Sequence, residues 1–420
     1  MLVAVTRNRI CAVIILVAAA LACPAFAAPR RHAATPPLTS EAAARWLDAH
    51  AIPLATTEAA GGLDDLAPLA GIVGDAAVVG LGDGTHGTHE FFTTKLRILQ
   101  CLVERMNFDV LAVEGSFPQF ERLNAWILGG DGELASLLRP RGGEQYFYFW
   151  DVEEFAAVAT WMRNYNLARG SKPPIEILGA DVYDGYSAGM LVVDYLKSVD
   201  AAAADRAMGA YVCTRGAATA DCRLGAAMVA QELSAKEAEY TTRSSARRFA
   251  DAAHAAAVVT QSFTPYDEQR DPAMAANVSW ARANRSVSKR VVYWAHAEHV
   301  TKHLSAVEHN VAAGEWLARE LGSGYVAFGN ATWSGRFRIP GGTAAFPDAG
   351  DDAYESFFHA AGAAAMIVPL RGAVHPYLAA PHHHRGAGAG APAWDVVVDL
   401  RRKFDAILYV DQTTPTRPLP

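Results

Sequence analysis

A chain of 420 residues with 51% hydrophobic side chains can bury one large core or two. Its 37 Lys and Arg stand against 44 Asp and Glu, a net charge of −7. With no basic block, nucleic acid is excluded as an expected partner.

At the N-terminus, Arg7 and Arg9 precede an apolar run from Ile10 to Ala22, followed by Ala25-Phe26-Ala27. A charged start, a short apolar stretch and an A-x-A site read as a signal peptide over 1–27, with a proline-bearing flexible leader over 28–39. The run is too short to span a bilayer comfortably, and a stable membrane partner is not expected. Cys23 after Leu21-Ala22 supplies a weaker lipoprotein alternative. The expected mature chain is exported, periplasmic or secreted, with a charge of 35 − 44 = −9 once the two arginines leave. In an oxidising compartment Cys213 and Cys222 are expected to bridge. Cys101, among Leu99, Leu102 and Val103, reads as a buried thiol.

Beyond the leader, helical spacing begins at Ser40, a candidate N-cap, and runs to His50. Residues 76–81 read as a short buried strand broken by glycines 80, 82, 84 and 87, after which a helix runs over 91–105. The turn between them carries Asp83, His86, His89 and Glu90, four ionisable side chains where a strand opens into a helix. The glycine spacing is not that of a dinucleotide fingerprint. A second strand is expected over 109–115, then helices over 117–128 and 151–167, and a third strand over 175–183. Residues 187–290, rich in Ala and Glu, read as a helical insertion or lid. A fourth strand follows over 290–299, with further strands over 324–331 and 406–410. The expectation is an α/β fold: a mostly parallel central sheet flanked by helices, forming one domain over 40–420.

Four of these strands finish in ionisable residues: Asp83 and His86, then Glu114, then Asp181, then His296 and His299. In a parallel sheet such ends converge on one edge, where open α/β folds bind ligands.

The turn Gly80-Leu81-Gly82-Asp83-Gly84-Thr85-His86-Gly87-Thr88-His89-Glu90-Phe91-Phe92 resembles the signature loop of the erythromycin esterase family, usually G-E-x-x-H-G. The likeness continues through Phe108-Asp109-Val110-Leu111-Ala112-Val113-Glu114, Leu178-Gly179-Ala180-Asp181-Val182-Tyr183 and Arg270-Asp271-Pro272-Ala273-Met274-Ala275-Ala276-Asn277. Trp294-Ala295-His296-Ala297-Glu298-His299 and Phe404-Asp405-Ala406-Ile407-Leu408-Tyr409-Val410-Asp411 complete it, in family order from about Trp46 to Leu419. The resemblance implies hydrolysis of a macrolide lactone ester, a role in antibiotic resistance, and a histidine base that activates water. It assigns His86 as that base, Glu114 as the acid of the second strand end, and either His296 or His299 as the later histidine. Asp83 stands where the family usually has glutamate, and Lys95 where many relatives have arginine.

Ester hydrolysis needs a base for water, a holder for that base and donors for the developing oxyanion. No G-x-S-x-G elbow supports a serine nucleophile, so water attack driven by His86 is the economical reading. Asp83 or Glu114 would orient the imidazole. Candidate substrate contacts are His89, Lys95 and Asp181, with a small-molecule ester as the partner. No cofactor is required by this reading. The alternative of a divalent metal would draw on His86, His89, Asp83, Glu114 and His299. A second alternative is a non-catalytic exported protein that holds haem or metal. His382-His383-His384, beside a low-complexity Gly/Ala run, reads as an incidental part of a loop. Phe147-Tyr148-Phe149-Trp150 reads as the lining of an apolar cleft.

Overall fold

The computed structural model describes residues 40–139, 149–216, 219–263, 266–303, 311–373, 375–387 and 394–420. The expected signal peptide and leader lie outside the described residues, as do Phe147 and Tyr148. Eleven strands are present among the described residues: β1 (Ile52–Pro53), β2 (Val78–Asp83), β3 (Val110–Ser116), β4 (Glu176–Asp181), β5 (Val291–His296), β6 (Tyr325–Ile339), β7 (Gly342–Phe346), β8 (Ala365–Pro369), β9 (His382–Gly386), β10 (Trp394–Val398) and β11 (Ala406–Thr413). Nine make one sheet in the order β1-β8-β11-β6-β2-β5-β3-β4, with β7 added to β6. From β11 to β4 every neighbour is parallel; β8, β1 and β7 pair antiparallel.

The parallel strands are apolar on both faces, as burial between helical layers demands. On one face Val79, Leu81, Trp294, Val113 and Phe328 pack with Phe92, Leu96 and Leu99 of the helix His89–Met106 and with Trp150 and Phe155. On the other face Val78, Tyr293, Ala295 and Ala327 pack with Met274, Ala275 and Val278 of the helix Tyr266–Asn284. The region expected to be a helical layer contains the helices Gly185–Val199, Ala201–Tyr211, Ala220–Ala235, Glu237–Arg243, Ala246–Gln261 and Tyr266–Asn284. Cys213 and Cys222 are joined by a disulfide, and Cys101 is a buried thiol.

Two expectations are corrected. His382-His383-His384 is not loop but the start of β9, paired antiparallel with β10. Each histidine meets a carboxylate: His382 Asp352, His383 Asp395 and His384 Glu355. The polar sequence concealed a strand because its pairing partner, not burial of alternate apolar residues, holds it. Gly80 and Gly82 do not break the first strand either; both lie inside β2. They are there for room: a methyl on Gly82 would meet Ala297 Cα and Phe328 O at 2.9 Å, and one on Gly80 the Tyr325 hydroxyl at 2.4 Å.

Candidate functional site

Register brings the strand ends together. Asp83, last in β2, lies opposite His296, last in β5, and Asp181, last in β4, opposite Ser116, last in β3. The site straddles the sheet edge. Asp83 meets Lys95 from the helix His89–Met106 on one face. Glu114 meets Arg270 from the helix Tyr266–Asn284 on the other. His86 stands between them, its Nδ1 3.1 Å from Asp83 Oδ1 and its Nε2 3.9 Å from Glu114 Oε1. Phe149 stacks on its ring at 4.0 Å, and His296 meets it edge-on at 5.0 Å. Gly87 lets the turn pass: its carbonyl accepts from Arg338 N at 2.8 Å, and a methyl there would fall 1.9 Å from Arg338 O.

Glu114 is the hub. Its Oε1 accepts from Arg270 Nη2 at 2.7 Å and faces His299 Nε2 at 3.3 Å; its Oε2 accepts from the His296 backbone N–H at 2.8 Å. Arg270 also donates to both carboxylate oxygens of Asp181, at 3.0 and 2.6 Å. His299 Nδ1 lies 2.8 Å from Asp271 Oδ1, so a second imidazole–carboxylate pair sits across Glu114 from the first. His296 has a neutral pattern: Nδ1 accepts from Glu298 N at 3.2 Å and Nε2 donates to Ala387 O at 3.3 Å.

The electrostatics separate the histidines. Burial, helped by His86, pushes His296 down to about 3, which keeps it neutral. Burial also opposes charge on His299, but Asp271 and Glu114 outweigh it and raise it to about 10. Arg270 Nη1 lies 2.9 Å from His299 Nε2. Taken alone, that contact suits a neutral acceptor, yet two carboxylates against the ring favour the charged form, with Nε2–H turned to Glu114. Burial works against ionised Asp83 and Glu114, yet both are held below the usual carboxylate range. Lys95 and His86 do this for Asp83; His299, His86 and Arg270 do it for Glu114. Burial lowers Lys95 to about 8 despite Asp83 and Glu114.

Of the residues singled out in the sequence, Asp83, His86, Glu114, His296 and His299 gather into this cluster. Lys95 is 1% exposed, bonded to Asp83 Oδ2 at 2.7 Å and lying over the Trp294 ring. Asp181 is spent on Arg270 and on Val182 N. Both support the site from below instead of lining it. His89 points elsewhere, to Glu154 Oε1 at 2.6 Å and Glu58 Oε1 at 3.6 Å. Sequence reasoning gave no role to Arg270, Asp271 or Ala387, and named Phe149 only as lining of an apolar cleft. The pair Arg270-Asp271 was visible inside a motif, but a charged pair on a helix reads first as solvated surface.

The residues do not fit a resident metal ion. Arg270 already occupies Glu114 and Lys95 occupies Asp83, the two carboxylates a cation would need, and His89 is outside the cluster. Among the described residues, no three His, Cys, Asp or Glu side chains are grouped to hold one.

Comparison with known proteins gives these likenesses. A family model described as Erythromycin esterase matches residues 103–413, a span that holds Glu114, Asp181, Arg270, Asp271, His296 and His299 but begins after the His86 turn. Erythromycin esterase type II of Escherichia coli is 31% identical over 161 residues, 37% of this chain and 36% of that protein. The match thus spans about a third of that relative's length. A Bacillus cereus protein of known structure superposes with a TM-score of 0.81 at 24% identity, over 91% of this chain and 100% of that one. An erythromycin esterase mutant in its open conformation gives 0.63 at 18%, over 84% and 95%. At such identities the structural likenesses are of fold.

Proposed function

The chain belongs to the erythromycin esterase family, and from that premise we propose that it is a hydrolase that cleaves a carboxylic ester, a macrolide lactone being the first substrate to try, by histidine-activated water. The observation that carries this reading is the geometry at His86. Asp83 faces Nδ1 and favours the proton there, leaving the Nε2 lone pair directed to Glu114 Oε1 across 3.9 Å. A water molecule bridging two acceptors at that separation sits within hydrogen-bond reach of both.

In the reaction the water oxygen attacks the carbonyl carbon as Nε2 takes one proton and Glu114 Oε1 holds the other. The tetrahedral oxyanion collapses, the acyl–oxygen bond breaks, and the departing alkoxide recovers the proton from His86. Acid and alcohol leave, and the imidazole is neutral again. Charged His299 and Arg270 offset much of the negative charge of Glu114, Asp181 and Asp271 around the water. His296 is the neutral donor that holds Ala387, and His299 is the later histidine of the reaction.

The test is hydrolysis of erythromycin and of simple carboxyl esters by purified protein. His86→Ala should lower kcat on the order of 10²–10⁴-fold with KM nearly unchanged. A His86→Ala enzyme with unaltered turnover would remove the reading, as would a folded wild type inert on every ester.

Export is part of the same proposal. The expected cleavage after Ala27 and the Cys213–Cys222 disulfide both suit a periplasmic or secreted enzyme. N-terminal sequencing of exported material should begin at Ala28; retention of Met1 refutes it.

A further inference from the structure

His89 is turned away from the cluster, yet both its backbone and its ring are engaged. It opens the helix His89–Met106, three positions after His86. Its N–H donates to Thr414 O at 2.9 Å, and its Nδ1 donates to Glu154 Oε1 at 2.6 Å. Glu154 lies five positions after Phe149, the residue whose ring stacks on His86. Its side chain is 1% exposed. A carboxylate this deeply buried calls for charged and hydrogen-bonding partners, and His89 is one. The hydrogen bond to Glu154 in turn raises His89 above its ordinary value, against its burial, and so favours a proton on Nδ1.

Residues 414–419, which follow β11, run along both segments. On the side of the His86 turn, Thr416 N donates to Gly87 O at 2.9 Å, Thr414 N donates to Glu90 Oε2 at 2.8 Å, and Thr88 pairs with Pro415. On the side of Phe149, Arg417 N donates to the two Glu154 oxygens at 3.2 and 3.1 Å, Glu153 N donates to Arg417 O at 2.8 Å, and Leu419 N donates to Asp151 O at 3.2 Å. The chain after β11 thus joins the turn that carries His86 to the segment that carries Phe149. The His89–Glu154 contact ties those two to each other directly. What this fixes is a ring: Phe149 lies at 4.0 Å and 17° to the His86 imidazole, and the plane of that imidazole decides whether Nε2 points at Glu114.

We propose that His89 is a positioning residue for the esterase site: with Glu154 it clips the His86 turn and the Phe149 segment to residues 414–419, and so holds Phe149 stacked on the imidazole of the base. The inference rests on the esterase reading. It gives the second histidine of the turn a task in the reaction although it touches no reacting atom, since a reacting group is only as well aimed as the residues that lock it.

The experiment is a double-mutant cycle on kcat and KM for p-nitrophenyl butyrate, with thermal melts to establish the folded fraction. The variants are His89→Ala, Phe149→Leu, the two combined, His89→Asn and His86→Ala. His89→Ala should lower kcat about 10-fold with KM held. Phe149→Leu should cost about as much, and the combined variant no more than either alone, because the clip acts through the stack. His89→Asn places an amide nitrogen near the position of Nδ1 and should recover most of the rate. If His89→Ala fails to fold, Glu154→Gln, which keeps the shape of the acid, takes its place in the cycle. Losses that multiply to about 100-fold, a wild-type kcat in the folded His89→Ala enzyme, or no recovery in His89→Asn overturn the proposal and leave the esterase reading intact. His86→Ala turning over like wild type overturns the esterase reading itself, and this inference with it.

Discussion

Strand β4 carries a buried acid at each end, and each is clamped by an arginine associated with the same helix. At the amino end Glu176 takes Arg285 Nη1 at 3.1 Å and Arg247 Nη2 at 2.5 Å, while Arg285 also reaches Asp251 and Glu121. At the carboxyl end Asp181 takes Arg270, which reaches on to Glu114. Nearby histidines differ in kind. His254, near Arg285, is held neutral by burial, lowered to about 3, and stacked on Trp280 at 3.8 Å. At the other end His86 and His299 each face two carboxylates. Both clusters offset desolvation with paired charge. The amino end has charge without a mobile proton, and so is structure. The carboxyl end has charge arranged around imidazoles, groups that can both give and take a proton.

The contrast is broken most sharply by paired substitutions. Glu114→Gln should lower kcat by about 10²–10³-fold with little change in melting temperature, because the amide keeps the shape but loses the charge that holds water and His299. Arg285→Ala should do the reverse. It strands Glu176, Glu121 and Asp251, lowering stability by about 3–5 kcal/mol, while the folded fraction turns over at the wild-type rate. Denaturant melts with parallel kinetics check both; an Arg285→Ala enzyme that is stable but inactive contradicts the division.

Acid sharpens the comparison. His254 and His296 are both lowered to about 3, below the ordinary value of 6.5. Below that ordinary value the unfolded chain binds protons that the folded chain refuses, so stability should fall as pH drops from about 6.5 toward 3. Replacing either with Gln should flatten that slope by about one proton, and His296→Gln alone should also perturb turnover. Unfolding free energies across that range decide it; an unchanged slope refutes the neutral assignment. The smallest effect is alkaline. Lys95, lowered to about 8, loses its charge as pH rises through that value, so kcat/KM should decline there if Asp83 needs the cation. Lys95→Arg should carry the decline to higher pH; an unmoved limb assigns it to another group.

Much of the sheet was legible because its parallel strands are near-continuous apolar runs closed by glycine and acid. The helix Ser40–His50 falls where the spacing predicts it, and Asp83, Glu114, Asp181 and His296 lie at or near the carboxyl ends of the strands the apolar runs mark. The edge was less legible. β1, β7, β8, β9 and β10 were not foreseen, since short strands that take their order from a neighbour's hydrogen bonds leave little pattern of their own.

Residue types and the apolar runs of the parallel strands are properties of the sequence alone, because apolar periodicity acts over a few positions. Which charge meets which is not. Arg270 to Glu114 spans 156 positions and His296 N to Glu114 spans 182, separations across which local pattern carries no information. Only tertiary register made Glu114 the hub, turned His89 toward Glu154, and set Lys95 beneath Asp83. Burial then decided the rest: with water excluded, a neighbour a few ångströms away settles whether an imidazole is neutral, as in His296, or charged, as in His299.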